Sequence, residues 1–215
     1  MNLFERVSQT EASKEMLCPR AVMLRKFAQK YETELFAGLR EVTAKAPFRH
    51  MITPGGFRMS VAMTNCGAFG WIANETGYRY DRVDPETNAT WPEMPDCFLK
   101  LGSSAATEVG FDEFLPDACL INRYEPGSKL SLHQEKNERD FDQPIVSVSL
   151  GVSAMFLFGG SRRNDDTERI PVEHGDVIVW GGPARLRYHG VMALKEGFHP
   201  LAGGRRFNLT FRKAT

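Results

Sequence analysis

From Asp117 onward the chain is cut into short β-rich runs: ACLINRY, PIVSVSLG, AMFLFGG, RIPVEHGDVIVWGG and RRFNLTFR. Gly and Pro punctuate them. Many short strands with regular turn residues bury their faces by closing into a sandwich or a barrel. This feature limits the C-terminal half to a jelly roll, expected over residues 117–213. The N-terminal half reads differently. Ala28 to Lys45 carries Tyr31, Leu35, Leu39 and Val42 at helical spacing and stops before Pro47. Met94 to Val109 is a second expected helix, with Pro95 near its start, Phe98, Leu101 and Ala105 as its stripe, and Gly110 closing it. Between the two, TPGGFRMSVAMTNCGAFGWIANETGYRY reads as hairpins and exposed loops rather than core. The expectation is a single α+β domain over 1–215, with residues 1–20 a flexible N-terminus and the helices packed outside the jelly roll.

Composition excludes several classes. Lys+Arg and Asp+Glu both number 27, so any nucleic-acid contact rests on a local patch and not on a global positive charge. The four cysteines are scattered with no C-x-x-C pair, which predicts reduced thiols in a cytoplasmic protein rather than a disulfide framework or a zinc site. The start, MNLFERVSQTEASKEM, has charges where a signal peptide needs an apolar run, and no segment suits a membrane span.

Strand parity places polar groups together. In RRFNLTFR, Arg206, Asn208, Thr210 and Arg212 share one face while Phe207, Leu209 and Phe211 share the other. The phenylalanine face needs a core. The opposite face is either a solvated edge strand or a row of donors for a carboxylate ligand. In CLINRY, Leu120, Asn122 and Tyr124 share a face in the same way. Two such faces with two arginines suit a small dicarboxylate.

LSLHQEKNERD then sets His133 and Glu135 two apart at a strand-like run, and His189 follows 56 residues after His133 in LRYHG. One histidine and one carboxylate two apart, with a distant second histidine, is the order of a 2-His-1-carboxylate facial site for iron(II). A lone H-x-E is common by chance. His174, in an EHGD turn, and His199, before Pro200, compete for the distant position.

The ordered series PDACLINRYEPGSKLSLHQEKNE, PIVSVSLG, EHGDVIVWGG, YHG and RRFNLTFR, with PFRHMITPGGFRMSVAMTNCGAFGW upstream, strongly resembles the AlkB family of iron(II)- and 2-oxoglutarate-dependent nucleic-acid dealkylases. The likeness covers roughly Ala21 to Arg212. It implies a double-stranded β-helix core, a β-hairpin nucleotide-recognition lid over 47–92, and oxidative demethylation of bases of the 1-methyladenine and 3-methylcytosine type in DNA, with RNA as a further substrate. It implies His133, Glu135 and His189 as the iron(II) ligands, and Asn122, Tyr124, Arg206, Asn208 and Arg212 as the residues that hold 2-oxoglutarate. On the substrate side it implies that Trp71 stacks on the damaged base, that Thr53 and Tyr78 contact the phosphate backbone, that Met63 lines the pocket, and that Asn137 and Arg163 face the substrate. A base must be flipped out of a duplex, or taken from a single strand, to be reached. Molecular oxygen is the co-substrate, and a monomer with no membrane partner is expected.

Two positions depart from the family pattern. Glu135 stands where the family has aspartate, adding one methylene and roughly 1.5 Å of reach. Asn137 stands where the bacterial repair enzyme has an acidic residue, so no negative charge faces a cationic base there. Two other readings therefore stand beside demethylation: an oxygenase acting on another substrate, and a nucleic-acid-binding module whose iron chemistry is impaired by Glu135.

Overall fold

Two antiparallel sheets lie face to face in the computed structural model, which describes residues 13–215. The chain begins with strands β1 (Lys14–Cys18) and β2 (Ala21–Leu24), then a 3-10 turn (Gln29–Tyr31) and helix α1 (Glu32–Lys45). Strands β3 (Ala62–Gly67), β4 (Gly70–Asn74) and β5 (Gly77–Asp81) precede helix α2 (Asp96–Thr107). The C-terminal half supplies β6 (Ala118–Tyr124), β7 (Leu130–His133), β8 (Ile145–Gly151), β9 (Ala154–Phe158) and β10 (Glu168–Val172). It closes with β11 (Val177–Trp180), β12 (His189–Val191) and β13 (Arg206–Arg212).

The major sheet has the order β1-β2-β11-β8-β13-β6-β3, and the minor sheet β10-β9-β12-β7. Hairpin β4–β5 forms a separate two-stranded sheet. This is the jelly roll expected from the C-terminal runs, with the two helices on its outer face. There α1 and α2 bury Leu35, Leu39, Phe98 and Leu101 against Phe207, Leu209 and Phe211 of β13. Leu209 and Phe211 are fully buried, worth ~1.5–3 kcal/mol each relative to exposure. Helix α2 comes close because position 102 is glycine: a Cβ there would lie 3.1 Å from the Phe211 ring. Helix α1 ends where expected. Ala46, before Pro47, takes φ −130 and ψ 90, the extended backbone that a following proline favours.

Three expectations need correction. Residues 1–12 of the expected flexible terminus lie outside the described residues, but Lys14–Cys18 is a strand, paired with β2 on the edge of the major sheet. The stretch from Thr53 to Tyr80 is not all exposed loop: β3 completes the major sheet beside β6, and Ala62 to Cys66 are buried. Its polar residues are accommodated because Thr64 donates to the Ala46 carbonyl (2.7 Å), and Asn65 exchanges two hydrogen bonds with the Trp71 backbone. Finally, β13 is central, paired with β6 on one side and β8 on the other, so its polar face is not a solvated edge.

Candidate metal and cofactor site

Strands β7 and β12 pair so that His133 and His189 stand directly opposite each other, with ring centroids 4.3 Å apart. The pairing needs Gly190: a Cβ there would come within 2.6 Å of the Leu130 carbonyl oxygen and push the strands apart. Glu135 is not on the strand. β7 ends at His133, and the irregular residues after it, rather than strand parity, turn Glu135 inward. Its Oε1 lies 3.9 Å from His133 Nε2 and 3.6 Å from His189 Nε2. Donors on one ion at about 2.1 Å and at right angles are about 3 Å apart, so a small side-chain turn closes the set.

Tautomers decide whether these histidines are ligands. His133 Nδ1 is 2.9 Å from the Ser131 carbonyl and His189 Nδ1 is 3.0 Å from the Arg187 carbonyl. A carbonyl only accepts, so each Nδ1 carries the proton and each Nε2 presents its lone pair to Glu135. Burial, and then the neighbouring His189, push His133 down to about 4, which keeps it neutral. Burial alone would raise the Glu135 carboxyl, but the Arg212 guanidinium beside it holds it well below the usual range. Arg212 Nη2 donates to Glu135 Oε1 at 2.6 Å.

A second His–Glu–His cluster joins Glu32 of α1, His174 and His199. His174 Nε2 and His199 Nε2 lie 3.0 and 3.6 Å from Glu32 Oε1. Here the Nδ1 atoms accept backbone N–H groups, from Gly151 (3.1 Å) and Leu201 (3.3 Å). Each neutral ring therefore carries its proton on Nε2, facing Glu32. That cluster sets two imidazoles against one carboxylate away from His133, and the competition for the distant ligand falls to His189, which stands opposite His133.

Beyond the metal ligands, β13 and β6 line the inner wall of a cavity of about 570 Å³. Arg206 is 2% exposed. Its Nη2 donates to Ser149 Oγ (3.0 Å), while its Nε and Nη1 have no partner. The Tyr124 hydroxyl, Asn122 Oδ1 and Arg212 Nη1 are also buried without partners. Asn208 is oriented by Ser147 Oγ (2.8 Å) and itself accepts from Thr210 (3.0 Å). A buried polar atom left unpaired costs ~1–3 kcal/mol. This wall thus has the unmet donors of a site for a small dicarboxylate, and 2-oxoglutarate fits that donor set. Burial pushes the Arg206 guanidinium down, and Tyr124 beside it opposes that shift.

The expected substrate-side residues share this cavity, with Met63 buried in its wall. Thr53, Met63, Trp71, Tyr78, Asn137 and Arg163 all line the same cavity. Trp71 stacks on Tyr78 (centroids 5.5 Å, planes 14° apart), and its Nε1 donates to Asn137 Oδ1 at 3.2 Å. Asn137 therefore fixes the indole in this state. Arg163 is held by the Leu132 carbonyl at 2.9 Å. Sequence reasoning missed the half-buried Tyr80 and the buried Glu138 and Arg185, which are linked to one another beside Glu135. In the sequence Glu138 sits in a charged run that reads as solvated, and nothing near Arg185 sets it apart.

Comparison with known proteins agrees with this geometry. A family model described as 2OG-Fe(II) oxygenase superfamily matches residues 20–212. The chain is 55% identical over 207 residues to "Alpha-ketoglutarate-dependent dioxygenase AlkB" of Escherichia coli (strain K12), covering 96% of each chain. It is 56% identical over 200 residues to the protein of that description from Salmonella typhimurium, covering 93% of each. The solved structure of OsALKBH1 superposes with a TM-score of 0.81 at 28% identity, covering 94% of this chain and all (100%) of that one. With its metal-ligand tautomers and its unpaired arginine wall in one cavity, the chain belongs to the AlkB family of the 2OG-Fe(II) oxygenase superfamily.

Proposed function

We propose that this chain is an iron(II)- and 2-oxoglutarate-dependent dioxygenase that removes N-alkyl groups from bases of the 1-methyladenine and 3-methylcytosine type in DNA, and also in RNA. The observation that carries the reading is the shared cavity: two Nε2 lone pairs and a carboxylate at one end, unpaired Arg206 N–H groups deeper in, and Trp71 at the mouth. When bound, iron(II) with 2-oxoglutarate and oxygen supplies the oxidation of the N-alkyl carbon, which leaves as an aldehyde while 2-oxoglutarate becomes succinate and carbon dioxide.

The chain's own groups prepare that chemistry. His133, Glu135 and His189 would hold the metal, and the carbonyls of Ser131 and Arg187 keep both rings in the ligating tautomer. Arg206, Arg212, Tyr124, Asn122 and Asn208 would bind and orient 2-oxoglutarate, and Arg212 also donates to Glu135. Trp71 would stack on the flipped base, with Met63 forming the pocket wall and Asn137 at the base edge. Arg163, Thr53 and Tyr78 lie at the opening with Arg58, Lys129 and Lys136, a local basic rim for phosphates on a chain of zero net charge. Burial of the inner end limits the entry of water.

The binding-module alternative rests on the extra methylene of Glu135. The longer side chain is taken up by the contact with Arg212 while its oxygen stays between both histidines, which favours a working site. All four cysteines are free, Cys66 and Cys119 even while facing each other across β3 and β6, as suits a reducing compartment such as the cytoplasm. The test is anaerobic loading with iron(II) and 2-oxoglutarate, then oxygen, with and without a 1-methyladenine or 3-methylcytosine oligonucleotide. Formaldehyde that depends on the methylated oligonucleotide is expected, with succinate in excess of it. Succinate without formaldehyde would point to another substrate, and no succinate to a binding module.

A further inference from the structure

The buried charges of Glu138 and Arg185 have no part in the proposed chemistry. Glu138 stands three residues beyond Glu135, and its side chain is fully buried (0%). Its Oε1 accepts the Tyr80 hydroxyl at 2.5 Å, and its Oε2 accepts Arg185 Nη2 at 2.9 Å. Arg212 Nε lies 3.6 Å from the same carboxylate. Arg185 is 2% exposed and uses its whole fork: Nε donates to the Gln143 carbonyl (3.0 Å), and Nη1 to the main-chain carbonyl of Glu135 itself (2.5 Å). Arg212 then returns to the Glu135 carboxylate.

Two guanidiniums and two carboxylates therefore alternate around the ligand-bearing segment, with no net charge. Such ion sets add little stability over packed apolar residues, because desolvation offsets their attraction. What this one does is geometric. Arg185 holds the segment after β7 at three points, one of them the backbone of a metal ligand. Tyr80 attaches hairpin β4–β5, which carries Trp71 and Tyr78, to the same carboxylate.

We infer that Arg185 is a positioning residue for the metal centre: it fixes the main chain of Glu135 and, through Glu138 and Tyr80, sets the register of the base-stacking hairpin on the metal-ligand segment. The inference rests on His133, Glu135 and His189 being the metal ligands. Groups beyond the first ligands typically change metal affinity 10–100-fold. Lysine at 185 keeps the charge but has no planar fork to serve three acceptors in different directions.

The experiment titrates cobalt(II) alone into the full chain, read by its visible absorption, and separately measures binding of a 3-methylcytosine oligonucleotide by fluorescence anisotropy. Arg185→Lys should weaken cobalt binding on the order of 10-fold or more and change the absorption band, well below its melting temperature. Tyr80→Phe should leave cobalt affinity as in wild type and weaken oligonucleotide binding about 10-fold, as expected for one lost hydrogen bond to a charged group. Where Arg185→Lys does not fold, the double variant Arg185→Met/Glu138→Leu removes the charges as a pair, and the same loss of cobalt affinity is expected. Wild-type cobalt affinity and spectrum in the folded Arg185 variant would overturn the inference, whatever its melting temperature. Unchanged oligonucleotide binding in Tyr80→Phe would overturn the hairpin connection. A wild-type chain that takes up no cobalt would overturn the metal reading, and this inference with it.

Discussion

Replacing Arg206 by methionine should move ligand affinity and stability in opposite directions. In the unliganded chain this guanidinium is 2% exposed and has one hydrogen bond, to Ser149, with Nε and Nη1 unpaired. A carboxylate of 2-oxoglutarate meets those two donors. Charge-assisted hydrogen bonds contribute ~1.5–3 kcal/mol each, so ~3–6 kcal/mol of binding depends on them. At about 1.4 kcal/mol per decade, the Kd should rise on the order of 10²–10⁴-fold. Stability should respond the other way. Methionine fills a similar volume without a desolvated charge, and replacing uncompensated buried ions is worth ~1–4 kcal/mol. For a chain of this length each kcal/mol moves Tm by about 2–4 °C, so the unliganded variant should melt a few degrees higher. The assays are anaerobic calorimetric titration of 2-oxoglutarate into the manganese-loaded protein and a melting scan without 2-oxoglutarate. A Kd close to wild type would refute the role of Arg206 as an anchor. A fall in Tm of several degrees would refute the claim that its charge is held for the ligand alone.

Three further outcomes are expected. Trp71→Ala should weaken binding of a methylated oligonucleotide by ~1–3 kcal/mol while leaving 2-oxoglutarate affinity alone; loss of both in calorimetry would make Trp71 a structural aromatic. Glu135→Ala should abolish iron(II) binding, and Glu135→Asp, which retreats by ~1.5 Å from Arg212, should raise formaldehyde released per succinate; an aspartate variant no better coupled would show a pocket fitted to the longer side chain. Burial would raise the Asp84 carboxyl, but the Arg49 fork at 2.5 and 2.7 Å brings it below its ordinary value. Its folded pKa thus lies under the unfolded value of about 3.9, so its stabilisation is complete above that pH and lost as pH falls through the folded pKa. Asp84→Asn should lower Tm at neutral pH, with the gap to wild type closing below about pH 4 in paired melting scans; a constant gap would exclude the ion pair.

The parts of this molecule legible in the sequence are those where a periodic pattern and a burial pattern coincide. The alternation of Phe207, Leu209 and Phe211 with Arg206, Asn208, Thr210 and Arg212 gave both faces of β13 correctly, yet only pairing on both edges decided between a solvated strand and a site wall. β3 was hidden because Thr64 and Asn65 look like loop residues; their partners, the Ala46 carbonyl and the Trp71 backbone, lie in other segments. The Glu138–Arg185 pair spans 47 residues, and each member alone is an ordinary surface charge. The tautomers of the histidines were not legible either, since each depends on the backbone atom that Nδ1 happens to face.

That last dependence has a consequence for metal uptake in a mixed supply. The described residues include two His–Glu–His groups of nearly equal dimensions, and an ion judging by donor type and spacing would find both. At Glu32, His174 and His199 the required lone pairs are covered by protons, and exposing them would mean giving up the bonds from Gly151 and Leu201. The backbone thus acts as a filter on stoichiometry. In excess zinc or nickel the chain should fill to one ion and stop, so the metal content of a purified sample reports the occupancy of His133, Glu135 and His189 directly.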